Sequence, residues 1–275
     1  MIYDIEKDYK DNLDAGPVFN RPMPERKWPD EKDWIDFLGI RVASPLGVPA
    51  GPLLNSQWTT LAAQLGFDIV TYKTIRSHSY PGYPLPNVLH VMQKESGIVQ
   101  QSKVNTLSIT NSFGMPSMSP EYLQTDIAKA KAALKKGQLL IVSVVGSSQD
   151  IIEDFVRTAL LAKEAGAAVI EANFSCPNVS SQEGCLYSDP ENSFKVASAI
   201  AKAIHPVPLI IKVGKYSNHE MLQKVLVTLG RAGARGICGI NGISMRVVDD
   251  QGAPLLGKGR ESSGICGKYD PSGSY

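Results

Sequence analysis

Eight consecutive residues, Glu171-Ala172-Asn173-Phe174-Ser175-Cys176-Pro177-Asn178, hold the densest chemistry in the chain. An apolar run emerges there into two amides, a hydroxyl and a thiol, and Pro177, which has no amide hydrogen, ends strand pairing. A thiol that is positioned and partly ionised can act as base or nucleophile, although free cysteine has a pKa of roughly 8.5. The competing reading is a strand end with turn-forming asparagines and an inert, buried Cys176, and for a lone cysteine that reading carries more weight. Company shifts the balance. Lys73-Thr74, Lys212 and Asn241-Gly242 also follow apolar runs, and Asn111-Ser112-Phe113-Gly114-Met115-Pro116 lies in the long segment between two of them. Each amide of Asn111, Asn173, Asn178 and Asn241 offers a donor and an acceptor, the complement of a planar ring with alternating N–H and C=O groups. Each is equally at home in a turn. Lys73 and Lys212 add cations that could balance a carboxylate or an electron-rich cofactor ring, or simply be solvated strand-end lysines.

The elements that must position these residues are legible as an alternation. Apolar runs of strand length at 44–51, 67–75, 139–146, 167–175, 209–214 and 236–241 are interleaved with helical spacing at 58–65, 120–136, 150–165, 190–204 and 219–232. Ser119 and either Ser188 or Asp189 are placed to cap two helices, while Gly66, Gly137, Gly166 and Gly233 are placed to close four. Continuous apolar strands suit a parallel sheet buried on both faces. Polar residues recurring just after the strands favour a (β/α)8 TIM barrel over an open nucleotide-binding sheet, because barrels build their sites on that rim. The loop after the first strand, Val48-Pro49-Ala50-Gly51-Pro52, is not G-x-G-x-x-G, and 252–259 misses a Walker A loop by ending in Gly259. Residues 1–38, rich in proline and charge, read as an irregular arm, leaving 39–275 for the barrel domain.

Composition narrows the function. Twenty-eight basic and 27 acidic side chains leave a formal charge of +1, which provides no global field for nucleic acid or an anionic membrane. No apolar run approaches the roughly 20 residues of a membrane span or forms a signal peptide, so a cytoplasmic protein is expected. Cys176, Cys185, Cys238 and Cys266 contain no C-x-x-C pair, which argues against a zinc site and a secreted disulfide scaffold.

The run Asn173-Phe-Ser-Cys-Pro-Asn178, with Tyr-Lys73-Thr, Asn111-Ser-Phe-Gly-Met-Pro116, Ile-Lys212-Val and the region 241–267, resembles the soluble, cysteine-using branch of the dihydroorotate dehydrogenases over about residues 44–267. That resemblance implies FMN-dependent oxidation of (S)-dihydroorotate to orotate in pyrimidine (UMP) synthesis. It implies Cys176 as general base, and Lys73, Asn111, Asn173, Asn178, Asn241 and Gly242 around the substrate, with Phe113, Gly114 and Met115 as a closing loop. It implies FMN contacts from Ala50, Gly51, Lys73, Thr74, Ser143, Asn173, Lys212, Ile240 and Gly267, with Lys212 at the flavin N1/O2 edge. It further implies a homodimer and an acceptor such as fumarate, or NAD through a partner subunit.

Three alternatives stand beside it: a dihydropyrimidine dehydrogenase-like flavoenzyme, a barrel aldolase with Lys212 as Schiff-base lysine, and a shortened, non-catalytic family member that needs a partner chain. The last follows from counting. Six strands and about five helices take the chain to Asn241, residues 244–267 read as the loop after strand six, and 268–275 as a polar tail, so the barrel is expected to be truncated after about six βα units, with strands one and six exposed as edges.

Overall fold

The structure, a computed structural model, describes residues 2–104, 106–175, 186–216 and 218–267. Its helices are α1 (Tyr9–Ala15), α2 (Ser56–Gln64), α3 (Pro120–Ala132), α4 (Ile151–Glu164), α5 (Pro190–Ile204) and α6 (His219–Arg231). Its strands are β1 (Ile35–Phe37), β2 (Ile40–Val42), β3 (Gly47–Val48), β4 (Ile69–Ile75), β5 (Val88–Glu95), β6 (Ile98–Gln101), β7 (Ser108–Asn111), β8 (Leu139–Val144), β9 (Val169–Asn173), β10 (Leu209–Lys212), β11 (Gly236–Cys238), β12 (Ile243–Val248) and β13 (Ser262–Gly267).

The six expected strands form one parallel sheet in the order β11-β10-β9-β8-β4-β3, with five helices, α2 to α6, among them. The first and last are short. The 44–51 run contributes only Gly47–Val48, and 236–241 only Gly236–Cys238. Caps fix the helix starts: Ser119 accepts from the Tyr122 amide, and Asp189, rather than Ser188, accepts from the amides of Glu191 and Asn192. Gly66, Gly166 and Gly233 follow their helices with positive φ as expected, but α3 stops at Ala132 and Gly137 closes a later turn.

One face of the sheet packs against the helices, joining Val70, Tyr72, Leu140, Val142, Ile170 and Ile211 to Trp58, Ile127, Phe155 and Ile200 in the main core. The register stacks the other face in layers. Ile69 pairs with Leu139, then Thr71 with Ile141 and Val169; the next layer holds Ser143, Glu171 and Ile210, and the last Asn173, Lys212 and Cys238. That face therefore runs from apolar to polar toward the strand C-termini. The antiparallel β1–β2 hairpin covers its apolar end with Ile35, Phe37, Leu38 and Ile40.

Two features depart from the sequence reading. The arm contains α1, whose Tyr9 and Leu13 join the main core, and β1 lies within it, so it is not irregular throughout. Residues 244–267 are not simply a loop. They supply β12 and β13, which pair with β5, β6 and β7 from the long segment before α3 to close a small five-stranded barrel around Val91, Val99, Met245, Val247 and Ile265. Alternation was present in Ile243-Ser-Met-Arg-Val, but the partners lie some 150 residues away and β13, Ser-Ser-Gly-Ile-Cys-Gly, has no apolar period. The near-Walker segment 252–259, as expected, opens no helix: it lies in the connection between β12 and β13, where Pro254 bridges back to Val248.

Candidate active site

The site lies at the polar end of the parallel sheet. A β-bulge in β4 begins it: Tyr72 pairs with Val142 and Ile75 with Val144, so Lys73 and Thr74 together oppose the single residue Ser143. A regular strand would send those neighbours to opposite faces, whereas a bulge re-aims one of them. Both are buried, and the Thr74 hydroxyl lies 3.0 Å from that of Ser143. The ammonium of Lys73 sits 5.2 Å from the ring centroid of Phe113 and 5.8 Å from that of Tyr9.

From β9, Asn173 donates to Thr74 Oγ1 at 3.4 Å and accepts from the Ser175 amide at 3.2 Å and from Asn241 at 3.5 Å. Asn241 also donates to the Ser175 carbonyl, and its own carbonyl accepts from the Gly242 amide at 2.9 Å. Lys212, buried at the end of β10, donates to the Ala50 carbonyl at 3.3 Å, which ties the first strand's loop to the fifth strand. Next to Ala50, Gly51 has no atom within 4 Å of where a Cβ would stand. Beneath this layer Glu171 is 1% exposed, and its Oε1 has no hydrogen-bond partner. Burial, reinforced by the charge of Glu171, pushes the Cys238 thiol up to about 12, with Lys212 opposing.

The 111–116 segment enters from the small barrel. Asn111 closes β7, and its amide donates to Cys266 Sγ at 3.7 Å; burial raises that thiol, while Lys212 and Asn111 oppose the shift. Arg76, buried just past the bulge, donates to the carbonyls of Met115 at 2.9 Å and Gly114 at 3.2 Å. Those residues have φ of 56° and 70°, and at Gly114 an added Cβ would lie 2.9 Å from the Tyr83 ring. Asn87 donates to the carbonyls of Tyr83, Pro84 and Ser112, and Arg260 to those of Pro84, Pro86 and Ser112. Sequence alone does not point to Arg76, Asn87, Arg260 or Tyr9, because Arg76 and Arg260 meet the loop's carbonyls from 38 or more residues away, Asn87 reaches Ser112 across 25, and Tyr9 lies in the arm.

The structure thus joins Thr74, Ser143, Asn173 and Asn241 through hydrogen bonds, sets Lys73 beside Thr74 in the bulge and against Phe113, and ties Lys212 to Ala50 and Asn111 to Cys266. Ile240 is half-exposed beside Asn241. Gly267 pairs with Ser108, at φ 106°, with its Cβ position 1.9 Å from the Leu107 carbonyl; it is Cys266, one residue earlier, that meets Asn111. Cys176 and Asn178 lie outside the described residues. The donor set suits a flavin: a buried ammonium, a hydroxyl pair, an amide and open space at Gly51 face one rim, and a ring edge of alternating carbonyl and N–H groups matches those donors and acceptors.

An α/β scaffold with a curled parallel sheet and a cationic, amide-rich rim at its strand C-termini is that of a TIM-barrel-type enzyme. The family model described as dihydroorotate dehydrogenase matches residues 34–269. A dihydroorotate dehydrogenase of Dictyostelium discoideum is 44% identical over 289 residues, covering 97% of this chain and 78% of that protein. A dihydroorotate dehydrogenase (quinone) of Clavibacter sepedonicus is 24% identical over 78% of this chain and 58% of its own length. The NAD-dependent dihydropyrimidine dehydrogenase subunit PreA of Escherichia coli strain K12 is 26% identical over 85% of this chain and 55% of its own. Among solved structures, DHODH of Eimeria tenella in complex with ferulenol superposes with a TM-score of 0.65 at 16% identity, covering 88% of this chain and 68% of that one, a likeness of fold. The chain belongs to the dihydroorotate dehydrogenase family, whose members are flavin-dependent oxidoreductases.

Proposed function

We propose that this chain oxidises (S)-dihydroorotate to orotate with FMN, the oxidation step of pyrimidine synthesis. The observation that carries the reading is the bulge-to-rim cluster of Lys73, Thr74, Ser143, Asn173 and Asn241, on a chain 44% identical to a dihydroorotate dehydrogenase. Lys73 holds the substrate carboxylate, and Asn111, Asn173, Asn178 and Asn241 its ring amides. Phe113, Gly114 and Met115 close over the ring and exclude water. Cys176, as thiolate, takes the proton from ring carbon 5. Lys212, with Ala50, Gly51, Thr74 and Ser143, would hold FMN, which when bound would supply the acceptor for the hydride leaving carbon 6, and the Lys212 ammonium would balance the negative charge that develops.

Turnover therefore rises with pH through the Cys176 titration. Cys176→Ala is expected to retain FMN, seen by its visible absorbance, and to lose turnover. Cys176→Ser is expected to be slower with a more alkaline pH–rate profile, since a hydroxyl ionises above a thiol; an unchanged rate in either variant refutes the base assignment. A protein that binds no FMN in the visible spectrum refutes the reading as a whole.

Two further readings have their own support. The resemblance to the dihydropyrimidine dehydrogenase subunit makes a dihydrouracil-like substrate the competitor, and Lys73 discriminates, because only dihydroorotate carries a carboxylate for it. Parallel assays of both substrates decide. The open sheet edges at β3 and β11 support a form that functions with a partner chain, as a homodimer or with an NAD-linked subunit, and molar mass with and without FMN tests it. Fumarate is the acceptor to assay first, and a cytoplasmic setting accompanies this reading.

A further inference from the structure

The family match begins at residue 34, yet a side chain from before that point stands against the site. Helix α1 is held against the barrel by buried amides. Asp8 caps it by accepting from the Asp11 amide at 2.8 Å, and Asn12 donates to the carbonyls of Asp4, Lys7 and Asp8. Asn55, which also caps α2, donates to the Leu13 carbonyl at 3.4 Å. Thus α1 is tied to the start of the first barrel helix. That anchorage delivers Tyr9, 8% exposed, to a cluster in which its ring lies edge-on to Phe113 at 6.5 Å; Tyr3 packs edge-on to Phe113 at 6.0 Å and tilted against Trp58 at 5.9 Å. The Lys73 ammonium then lies within 6 Å of two aromatic faces, one from the substrate loop and one from the arm. Cations are attracted to such faces, more strongly where water is excluded.

We propose that Tyr9 is a positioning residue of the site: with Phe113 it forms a two-walled aromatic cage that holds the Lys73 ammonium at its working position. The arm is thereby part of the substrate-binding apparatus. The consequence for turnover rests on the assignment of Lys73 to the substrate carboxylate, whereas the cage itself does not. A lysine held against two ring faces reacts slowly with an acylating reagent, and one that has lost a face reacts faster.

The test is competitive labelling of the folded protein with acetic anhydride, with Lys73 acetylation read by peptide mass spectrometry in Tyr9→Leu, Tyr9→Phe and Leu13→Ala. Leucine keeps apolar bulk without a ring, phenylalanine keeps the ring without the hydroxyl, and Leu13→Ala loosens α1 away from Lys73. Acetylation of Lys73 is expected to rise about 3-fold or more in Tyr9→Leu and to stay near wild type in the other two. Equal rates in Tyr9→Leu and wild type overturn the cage. So does acceleration in Tyr9→Phe, which would point to the hydroxyl, or in Leu13→Ala, which would point to general loosening. In steady-state assays Tyr9→Leu is expected to raise KM for dihydroorotate about 3- to 10-fold with kcat within about 2-fold of wild type. An unchanged KM beside faster labelling removes the role in substrate binding while leaving the cage.

Discussion

Cys238 shows how the rim's chemistry constrains single residues. Its thiol, partly buried at the edge of the sheet, faces Glu171, and both burial and the carboxylate disfavour the thiolate. The folded chain keeps this proton up to about 12, whereas the unfolded chain releases it near the ordinary thiol value of about 8.5. Stability associated with this thiol is therefore complete below that value and declines as pH climbs toward the folded pKa. The slope is at most about 1.4 kcal/mol per pH unit, and less to the extent that the partly open site admits water. Cys238→Ser keeps a donor beside Glu171 but does not ionise in this range, so its melting temperature is expected to fall less steeply between pH 8.5 and 10 than that of wild type. Parallel slopes would show that the thiol does not govern this pH window. By contrast, a cysteine on the reacting path must ionise, which is the work proposed for Cys176. Local sequence sets Cys176 apart by the amides and hydroxyl around it, whereas what the fold brings to Cys238, the Glu171 carboxylate, is not legible there.

At the scale of elements, the bulge in β4 and the clamp at Arg76 do the positioning. Lys73, Thr74, Asn173 and Lys212 were legible in the sequence because each follows an apolar run, and in a buried parallel sheet the C-terminal ends of such runs converge on one rim. The bulge was not legible: Tyr-Lys-Thr reads as regular strand, and the second opposing residue appears only when β4 is registered against β8. Arg76 was hidden for the same reason, since its partners are carbonyls 38 and 39 residues away. Arg76→Met would leave the buried carbonyls of Gly114 and Met115 without these donors, which is expected to cost about 2–4 kcal/mol in urea unfolding. Because those carbonyls fix two left-handed residues of the closing loop, KM for dihydroorotate is expected to rise about 10-fold or more. A variant as stable as wild type with an unchanged KM would show that the loop holds itself.

At the scale of the whole molecule, the parallel sheet is open among the described residues. Strands β3 and β11 are its edges, and apolar side chains of the last units face solvent: Val227 on α6 is 62% exposed, Ile240 beyond β11 is 53% exposed, and Ile237 is 39% exposed. Six apolar runs in the sequence already imply those edges, whereas the strands of the small barrel and the α1 and β1–β2 elements near the N-terminus carry no comparable apolar run. An exposed apolar strip beside an unpaired edge binds hydrophobic dyes and invites association. Val227→Lys with Ile240→Lys is expected to lower anilinonaphthalene sulfonate fluorescence several-fold without changing far-ultraviolet circular dichroism. Equal dye binding would locate the accessible apolar surface elsewhere. No helix among the described residues is long and apolar enough to cross a membrane.

The small barrel also sets an order of events during synthesis. Its β7 and β13 strands pair Asn111 with Gly264, residues separated by more than half the chain, so loop closure there is among the most expensive steps in entropy. A ribosome delivers the parallel strands β3 to β11 before β13 exists, and the helices can dock on that sheet as it emerges. Asn111 can pair early with Val88 on β5, but its partner Gly264 and the Arg260 donor to the Ser112 carbonyl arrive only with the last segment. A nascent chain would thus acquire its scaffold early and its substrate pocket late, which ties competence for binding to completion of translation through Gly267.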